Sequence, residues 1–204
     1  MIEASVDAPR ALDRRWFDRP AVELARELLG ARLVHRSSDG VVGGRIVEVE
    51  AYGGPEDQAA HSSRGRTPRN AAMFGEPGHL YVYLIYGLHH CLNIVAGPGT
   101  KPEAVLIRAI ELDEGLALAR TRRGPRPLDH HLASGPGNVA QAFGVDRSLD
   151  GVDLVADGPV RVEPRIGAAP RTRRGPRIGV DYAGAWAARP LRFWIIDDRH
   201  VSRR

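Results

Sequence analysis

The chain has 204 residues, a formal net charge of +4 and a single cysteine, Cys91. This length suits one domain or at most two small ones, and a lone cysteine excludes an intramolecular disulfide, a four-cysteine zinc site and an iron–sulfur cluster; we expect Cys91 to be a small buried apolar side chain. No apolar run approaches the ~20 residues of a membrane span and no signal-peptide core is visible, so we expect a soluble cytoplasmic protein.

The cationic side chains are almost all arginine, since 28 of the 29 basic residues are Arg and only Lys101 is a lysine. The mild positive charge is a weak indication of a nucleic-acid partner, and a biased composition is the alternative explanation for the arginine excess. In either case, a reaction that needs a lysine amine has one candidate in this chain.

Hydrophobic periodicity predicts many strands and few helices. Residues 1–15 show no clear period, so we expect them to be loosely ordered and a single domain to occupy residues 16–204. Helices are predicted over residues 18–29, 69–74, 113–120 and 138–143. Strands are predicted over residues 32–35, 41–52, 81–86, 89–95, 104–111, 153–155, 160–163, 178–182 and 191–196. This order, without regular β-α-β alternation, favours an α+β (mixed α/β) domain with a mostly antiparallel sheet.

Two features of this order suggest a functional surface. Residues 53–79 form a long loop with a short helix, and a loop of this length is unusual without a function. The strands over residues 81–86 and 89–95 are joined at Gly87 and Leu88, which suit the centre of a type II′ hairpin turn.

The predicted strand over residues 41–52 carries carboxylates with the period of a sheet face. Glu48, Glu50 and Tyr52 share one face, and Val47, Val49 and Ala51 share the other. Two carboxylates this close raise one pKa if the face is sheltered, which suits a general base. The alternative is a solvated sheet face.

An arginine and a group of tyrosines are further candidates. Arg108 interrupts an apolar strand, so it either marks a strand end or pairs with an acid or anion. There are two interpretations of the tyrosines Tyr52, Tyr81, Tyr83 and Tyr86. They pack in the core beside a hairpin, or they form a stacking platform for a planar ligand with one ring inserted between bases.

Metal and nucleotide cofactors are not expected. The adjacent histidines at 89–90 and 130–131 would point to opposite faces of a strand, and no metal-binding or deaminase motif is present. There is no Walker loop and no dinucleotide-binding glycine motif. The heptapeptide Arg-Thr-Arg-Arg-Gly-Pro-Arg occurs at 120–126 and again at 171–177. The two copies match through biased composition, or both loops follow a phosphate backbone.

Taken together, these residues resemble the alkyladenine-type 3-methyladenine DNA glycosylase family. The resemblance covers roughly residues 16–203 in the family's order. Its motifs, written in one-letter code, are EVEAYGGPED at 48–57, AAHS at 59–62, TPRN at 67–70, MF at 73–74, GHLYVYLIYG at 78–87, CLN at 91–93, VLIRA at 105–109, SGPGN at 134–138, PRIGV at 176–180 and PLRF at 190–193.

The resemblance implies a single mixed α/β domain with a curved, mostly antiparallel sheet, flanking helices and a protruding β-hairpin that enters the DNA minor groove. It implies flipping of alkylated purines such as 3-methyladenine and 7-methylguanine, followed by hydrolysis of the N-glycosidic bond, which leaves an abasic site. The implied partner is double-stranded DNA containing damaged purines. The sequence leaves the oligomeric state open, and our own expectation is a monomer associated with the nucleoid. No cofactor, metal or membrane is implied.

The resemblance also implies roles for individual residues. Glu50 corresponds to the general base that activates water, and Arg108 to the arginine that helps to hold that water. Six arginines are our candidates for contacts with the DNA backbone: Arg69, Arg122, Arg123, Arg173, Arg174 and Arg177.

The base pocket is assigned in the same way. Tyr52 corresponds to one wall, and His61 and Tyr83 to the opposite side. Tyr86, beside the hairpin turn, corresponds to the residue that fills the gap left by the flipped nucleotide. Asn93 corresponds to the floor residue that crowds the 2-amino group of guanine.

The shortage of lysine bears on the mechanism. Glycosylases that also cut the strand use an amine to form a Schiff base, whereas Lys101 lies in a Gly/Pro-rich turn and residue 2 is Ile2 rather than proline. We therefore expect a monofunctional enzyme. A non-catalytic protein that binds distorted DNA and an N-glycosidase acting on free nucleosides are the alternatives.

Overall fold

The computed structural model describes residues 12–98 and 101–203. The expectation of loose order falls mostly on residues 1–11, which lie outside the described residues. Within the same predicted segment, Asp13 caps a short helix by accepting a hydrogen bond from the backbone N–H of Trp16 at 3.0 Å.

Over the described residues, eight strands and four α-helices make up the regular structure. The strands are β1 (Arg32–Ser37), β2 (Gly40–Tyr52), β3 (Leu80–Ile85), β4 (His89–Ala96), β5 (Glu103–Glu114), β6 (Val160–Glu163), β7 (Thr172–Gly175) and β8 (Arg192–Ile195). The α-helices are α1 (Arg14–Phe17), α2 (Ala21–Leu28), α3 (Leu116–Arg123) and α4 (Pro136–Phe143), with five short 3₁₀ segments between the elements. None of the helices in the described ranges is long and apolar enough to cross a membrane.

The long strand β2 organises an antiparallel sheet with the order β3-β4-β5-β2-β1-β6. One edge of β2 pairs with β5. The other edge pairs with β1 along its first half and with β8 along its second half, and β7 pairs with β8. The predicted α+β class with an antiparallel sheet is confirmed.

The alternation of side chains gives the sheet two different faces. Apolar side chains from β2, β3, β4 and β5 pack with α2 and α4 into the main core, which includes Val49, Leu92, Ile107 and Phe143. Intervening residues of the same strands point to the other face, where a smaller cluster includes Tyr81. The face without the core helices is therefore available for a site.

Several predicted elements differ from the structure. Residues 153–155 make only an isolated bridge, from Asp153 to His79, and residues 178–182 lead into a 3₁₀ turn because Gly179 has a φ of 77°. The predicted helix over residues 113–120 begins at 116 because β5 continues to 114. Strand β7 was not predicted, since its arginines carry no apolar alternation.

The hairpin turn between β3 and β4 also differs from the prediction. The carbonyl of Ile85 accepts a hydrogen bond from the N–H of Leu88, so Tyr86 and Gly87 are the central residues. Both have positive φ, 54° and 67°, as type I′ turns require and type II′ turns do not. The turn therefore begins one residue earlier and holds Tyr86 in an unusual backbone conformation.

A fully buried ion pair secures the loop that follows β2. Both side chains of Asp57 and Arg177 have 0% exposure, and Arg177 forms two hydrogen bonds to the carboxylate, at 2.5 and 2.8 Å. Asp57 also accepts the N–H groups of Gly53 and Ala59. Arg177 is thus an internal anchor, and its prediction as a DNA-backbone contact is wrong.

We expect Asp57→Ala to lower the free energy of unfolding by about 3–5 kcal/mol, because it leaves the Arg177 guanidinium buried and unpaired. Denaturant titration measures this loss. The matched control is Asp113→Ala, which removes a carboxylate that is 47% exposed and pairs with Arg32; it should cost less than about 1 kcal/mol. Equal losses in the two variants would contradict the anchoring role of Asp57.

Candidate active site

A cavity of about 480 Å³ opens on the sheet face opposite the main core, and the first turn of α4, at Pro136 and Gly137, reaches its edge. Its lining includes all seven side chains predicted for catalysis, the base pocket and intercalation: Glu50, Tyr52, His61, Tyr83, Tyr86, Asn93 and Arg108. Six of them lie on strands β2 to β5 or on the turn between β3 and β4. His61 comes from a short 3₁₀ segment, His61–Arg64. The fold thus brings together residues that are up to 58 positions apart in the chain.

Glu50 is fully buried, so the solvated-face interpretation is wrong. Its Oε1 accepts a hydrogen bond from the backbone N–H of Ile178 at 2.8 Å, and its Oε2 accepts one from the Tyr52 hydroxyl at 3.0 Å. Arg108 Nη1 lies 3.3 Å from Oε1. These three donors hold the carboxylate at the cavity surface in a fixed orientation.

Burial and the neighbouring donors act in opposite directions on the pKa of Glu50. Burial raises the pKa of Glu50, while Arg108, the Ile178 amide and the Tyr52 hydroxyl act against that rise. Burial and the negative charge of Glu50 hold the pKa of Tyr52 well above its usual value, so its hydroxyl stays neutral and donates. A carboxylate whose pKa is raised in this way suits proton abstraction.

Arg108 lies within β5, and the prediction that it pairs with an acid is confirmed. Its Nε is 3.1 Å from Glu48 Oε1, and its side chain is 7% exposed. Burial alone would lower the pKa of Arg108, but the charges of Glu50 and Glu48 outweigh it and raise that pKa. The arginine is therefore a permanent cation between two carboxylates.

Aromatic side chains form the side of the cavity at β3. The His61 ring lies 4.5 Å from the Tyr83 ring, centre to centre, at an interplanar angle of 70°. His61 Nδ1 is 2.7 Å from the Tyr81 hydroxyl. Burial, together with the nearby charge of Arg69, lowers the pKa of His61. The histidine is accordingly neutral at neutral pH and does not repel a cation.

The strand order determines which residues line the cavity between Tyr52 and Tyr83. Tyr52 and Tyr83 come from β2 and β3, which are separated by β4 and β5, so the residues of those two strands lie between them. Asn93 on β4 is buried, and its side-chain amide donates to the Tyr81 carbonyl at 3.0 Å. Cys91 is buried as expected, and it also lines the cavity beside Tyr83.

The hairpin turn presents its aromatic residue to solvent at the cavity. Tyr86 is 87% exposed and lines the cavity, and the neighbouring Leu88 is 74% exposed. Together they give the turn a large exposed apolar tip.

The arginines proposed for the DNA backbone are placed differently from one another. Arg69 is exposed, with its guanidinium carbon 5.7 Å from the centre of the Tyr83 ring. Arg173 and Arg174 are exposed on β7. Arg122 and Arg123 are half-buried in the last turn of α3, where their guanidinium groups bond to Ser37 and to the carbonyl of Leu132.

Some cavity residues were missed from the sequence. The segment Ile178–Gly179–Val180 lines the cavity, as does Tyr182, which is 69% exposed. Predicting a strand over residues 178–182 hid this segment, although its Gly179 was a signal for a turn. Tyr182 is the one tyrosine outside the cluster at residues 52–86, so clustering could not reveal it.

Within the described ranges, one group of side chains has the spacing of metal ligands: Glu111, Asp198 and His200. It lies outside the cavity lining. Arg45 Nη2 already contacts both carboxylates, at 2.6 Å from Glu111 and 2.7 Å from Asp198. A guanidinium therefore occupies the position between the two acids.

Comparison with known proteins agrees with this geometry. Residues 15–199 match the model of the family described as methylpurine-DNA glycosylase (MPG). A protein of Streptomyces avermitilis, named as a candidate 3-methyladenine DNA glycosylase, is 48% identical over 94% of this chain and 90% of its own. The DNA-3-methyladenine glycosylases of Mus musculus and Homo sapiens are each 47% identical over 94% of this chain, which spans 61% and 67% of theirs. The chain therefore belongs to the methylpurine-DNA glycosylase family of DNA repair enzymes.

Proposed function

We propose that this DNA glycosylase flips alkylated purines, of the 3-methyladenine and 7-methylguanine type, out of duplex DNA and hydrolyses their N-glycosidic bond. Water activated by Glu50 is the nucleophile, and the product is an abasic site. The observation that carries the proposal is a buried carboxylate, held by three donors, at the surface of an aromatic-lined cavity.

The chemistry follows from the position of Glu50. As the bond between C1′ and the purine nitrogen breaks, its electron pair leaves with the base and positive charge develops on the sugar. The Glu50 carboxylate stabilises that charge and accepts a proton from the water whose oxygen forms the new bond to C1′. Arg108 holds the carboxylate and helps to orient this water.

Substrate selection rests on charge and shape. A methylated purine carries positive charge, and each aromatic wall attracts such a cation by about 0.5–2 kcal/mol. The neutral His61 ring adds no repulsion, and the volume of about 480 Å³ lies within the usual range for small-molecule pockets. Asn93, between the walls, crowds the 2-amino group of normal guanine.

DNA binding involves the hairpin and the exposed arginines. Tyr86 enters the minor groove and occupies the space that the flipped nucleotide vacates, at a cost that is lowest for poorly paired, damaged bases. Arg69, Arg173 and Arg174 are exposed and available for phosphate contacts. The protein acts as a monomer on chromosomal DNA at the nucleoid.

The enzyme is monofunctional because no lysine is placed for attack on C1′. Lys101, the one lysine in the sequence, lies 2.9 Å from Glu103 in an ion pair and is not part of the cavity lining. The pairing raises the pKa of Lys101 and keeps it a cation, which is a poor nucleophile.

We expect Glu50→Gln to reduce release of methylated purine from alkylated duplex DNA by about 10²–10⁴-fold, because the general base is lost. Single-turnover base release measures the rate, and DNA affinity should be retained. Equal rates in wild type and variant would exclude Glu50 as the base. Lesion binding without turnover by the wild type would instead indicate a non-catalytic DNA-binding protein.

Tyr86→Ala should weaken lesion binding and slow base release, because nothing then fills the gap in the stack. Leu88→Ala is the matched control, since it truncates a similarly exposed side chain on the same turn. Fluorescence of a base analogue beside the lesion, measured together with single-turnover rates, reports flipping. If the two variants behave alike, Tyr86 is not the intercalating residue.

Borohydride should trap no covalent complex between the wild-type protein and lesion-containing DNA. Because hydrolysis by water passes through no Schiff base, Lys101→Ala should also retain full base release. A trapped complex that disappears in Lys101→Ala would overturn the monofunctional mechanism.

A further inference from the structure

Glu48 is a second fully buried carboxylate, two residues before Glu50 on the same face of β2. Three donors surround it. Arg108 Nε and Arg192 Nη1 lie 3.1 and 3.0 Å from its Oε1, and the backbone N–H of Ser202 lies 2.7 Å from its Oε2. Such a complete set of partners is costly to assemble and fixes the carboxylate firmly.

The partners of Glu48 connect it to the end of the described chain. The Ser202 hydroxyl is 3.3 Å from Arg108 Nη2, and Arg192 Nη1 donates to the carbonyl of Arg203 at 2.8 Å. Glu48, Arg192 and Ser202 do not line the cavity. Glu48 therefore lies outside the cavity, and it can influence the reaction through its contact with Arg108 and through the effect of its charge on Glu50.

The guanidinium of Arg108 is held from two sides. Its Nε faces Glu48 and its Nη1 faces Glu50, so the two carboxylates determine its plane and position. With Arg192 as the second cation, the buried cluster contains two carboxylates and two guanidinium groups and is close to electrically neutral. Without the charge of Glu48, Arg108 would be free to pair with Glu50 alone.

We propose that Glu48 is a positioning residue, which holds Arg108 at a fixed distance from Glu50 and so leaves the Glu50 carboxylate free to accept a proton. This inference rests on the proposed function. The two neighbouring carboxylates then have different roles: Glu50 is the base that meets the substrate, and Glu48 is the counterion that restrains Arg108.

The pH dependence of the reaction distinguishes positioning from simple stabilisation. The groups facing Glu50 are Tyr52 on β2, Arg108 on β5, Tyr83 and Cys91 on β3 and β4, and the Ile178 amide. Glu48 also faces it, and its negative charge raises the pKa of Glu50. The base must be ionised, so the rate rises with pH through that pKa. Neutralising Glu48 lowers the pKa of Glu50 and moves the acidic limb to lower pH.

The experiment measures single-turnover release of methylated purine from alkylated duplex DNA, as a function of pH, for Glu48→Gln. We expect a plateau rate about 10–100-fold below that of the wild type, because a displaced Arg108 no longer holds the Glu50 carboxylate in its position. We also expect an acidic limb at lower pH and an unchanged affinity for DNA. Glu48→Asp, which keeps the charge on a shorter side chain, should restore the wild-type limb and recover part of the rate.

Glu163→Gln is the matched control. Glu163 is also a buried glutamate paired with two arginines, Arg32 at 2.9 Å and Arg161 at 2.5 Å, but it lies on β6 at the far edge of the sheet. It should lose stability without any change in rate or pH profile. Thermal unfolding of each variant verifies that it is folded.

Three results would overturn the inference. A wild-type rate and pH profile in Glu48→Gln would show that Arg108 does not depend on Glu48. If Glu48→Gln and Glu163→Gln lose equal amounts of base-release rate, and the acidic limb of the pH profile does not move, Glu48 has a structural role only. If Glu48→Gln does not fold, an acidic limb in Glu48→Asp that differs from the wild-type limb would contradict the role of the charge. Failure of the proposed function is distinguishable, because the wild type itself would then release no base, and the inference would fall with it.

Discussion

The contact between Glu50 and Arg108 is the interaction on which the rest of the site depends. A carboxylate buried on its own would stay protonated and could not act as a base. Arg108 offsets that cost from the neighbouring strand, and the Ile178 amide and the Tyr52 hydroxyl complete the set of donors. The pairing of β2 with β5 therefore lies at the centre of the sheet. It also places Arg108 beside Glu50, so that the carboxylate can ionise inside the cavity.

The two faces of the sheet make this arrangement possible in a chain of modest size. One face carries the apolar core that packs against α2 and α4, and the other carries the charged and aromatic side chains of the cavity. Because the two sets alternate along the same strands, neighbouring residues point to opposite faces, so that core side chains and cavity side chains do not occupy the same space. The Asp57–Arg177 pair then holds the adjoining loop, with the Arg177 guanidinium carbon 4.6 Å from the centre of the Tyr52 ring.

Features that depend on local periodicity could be predicted from the sequence, and those that depend on distant partners could not. The shared face of Glu48, Glu50 and Tyr52 follows from a period of two. The repeated heptapeptide shows the limit, since its first copy ends helix α3 and its second forms strand β7. The partner of β7 is β8 and that of Arg177 is Asp57, 120 residues away, and nothing in the heptapeptide specifies either. The family resemblance supplied the predicted roles of Glu50 and Tyr86, for which pattern alone left alternatives.

Glu50 is a sheltered carboxylate whose proton affinity is raised by burial and restrained by Arg108. Nuclear magnetic resonance titration of isotope-labelled glutamate side-chain carboxyl carbons measures this affinity, with the Glu50 signal assigned by its absence in Glu50→Gln. We expect the Glu50 carboxyl to titrate with a pKa above the usual 4.5. A pKa at or below 4.5 would contradict it, because the carboxylate would then behave as a solvated or fully neutralised group.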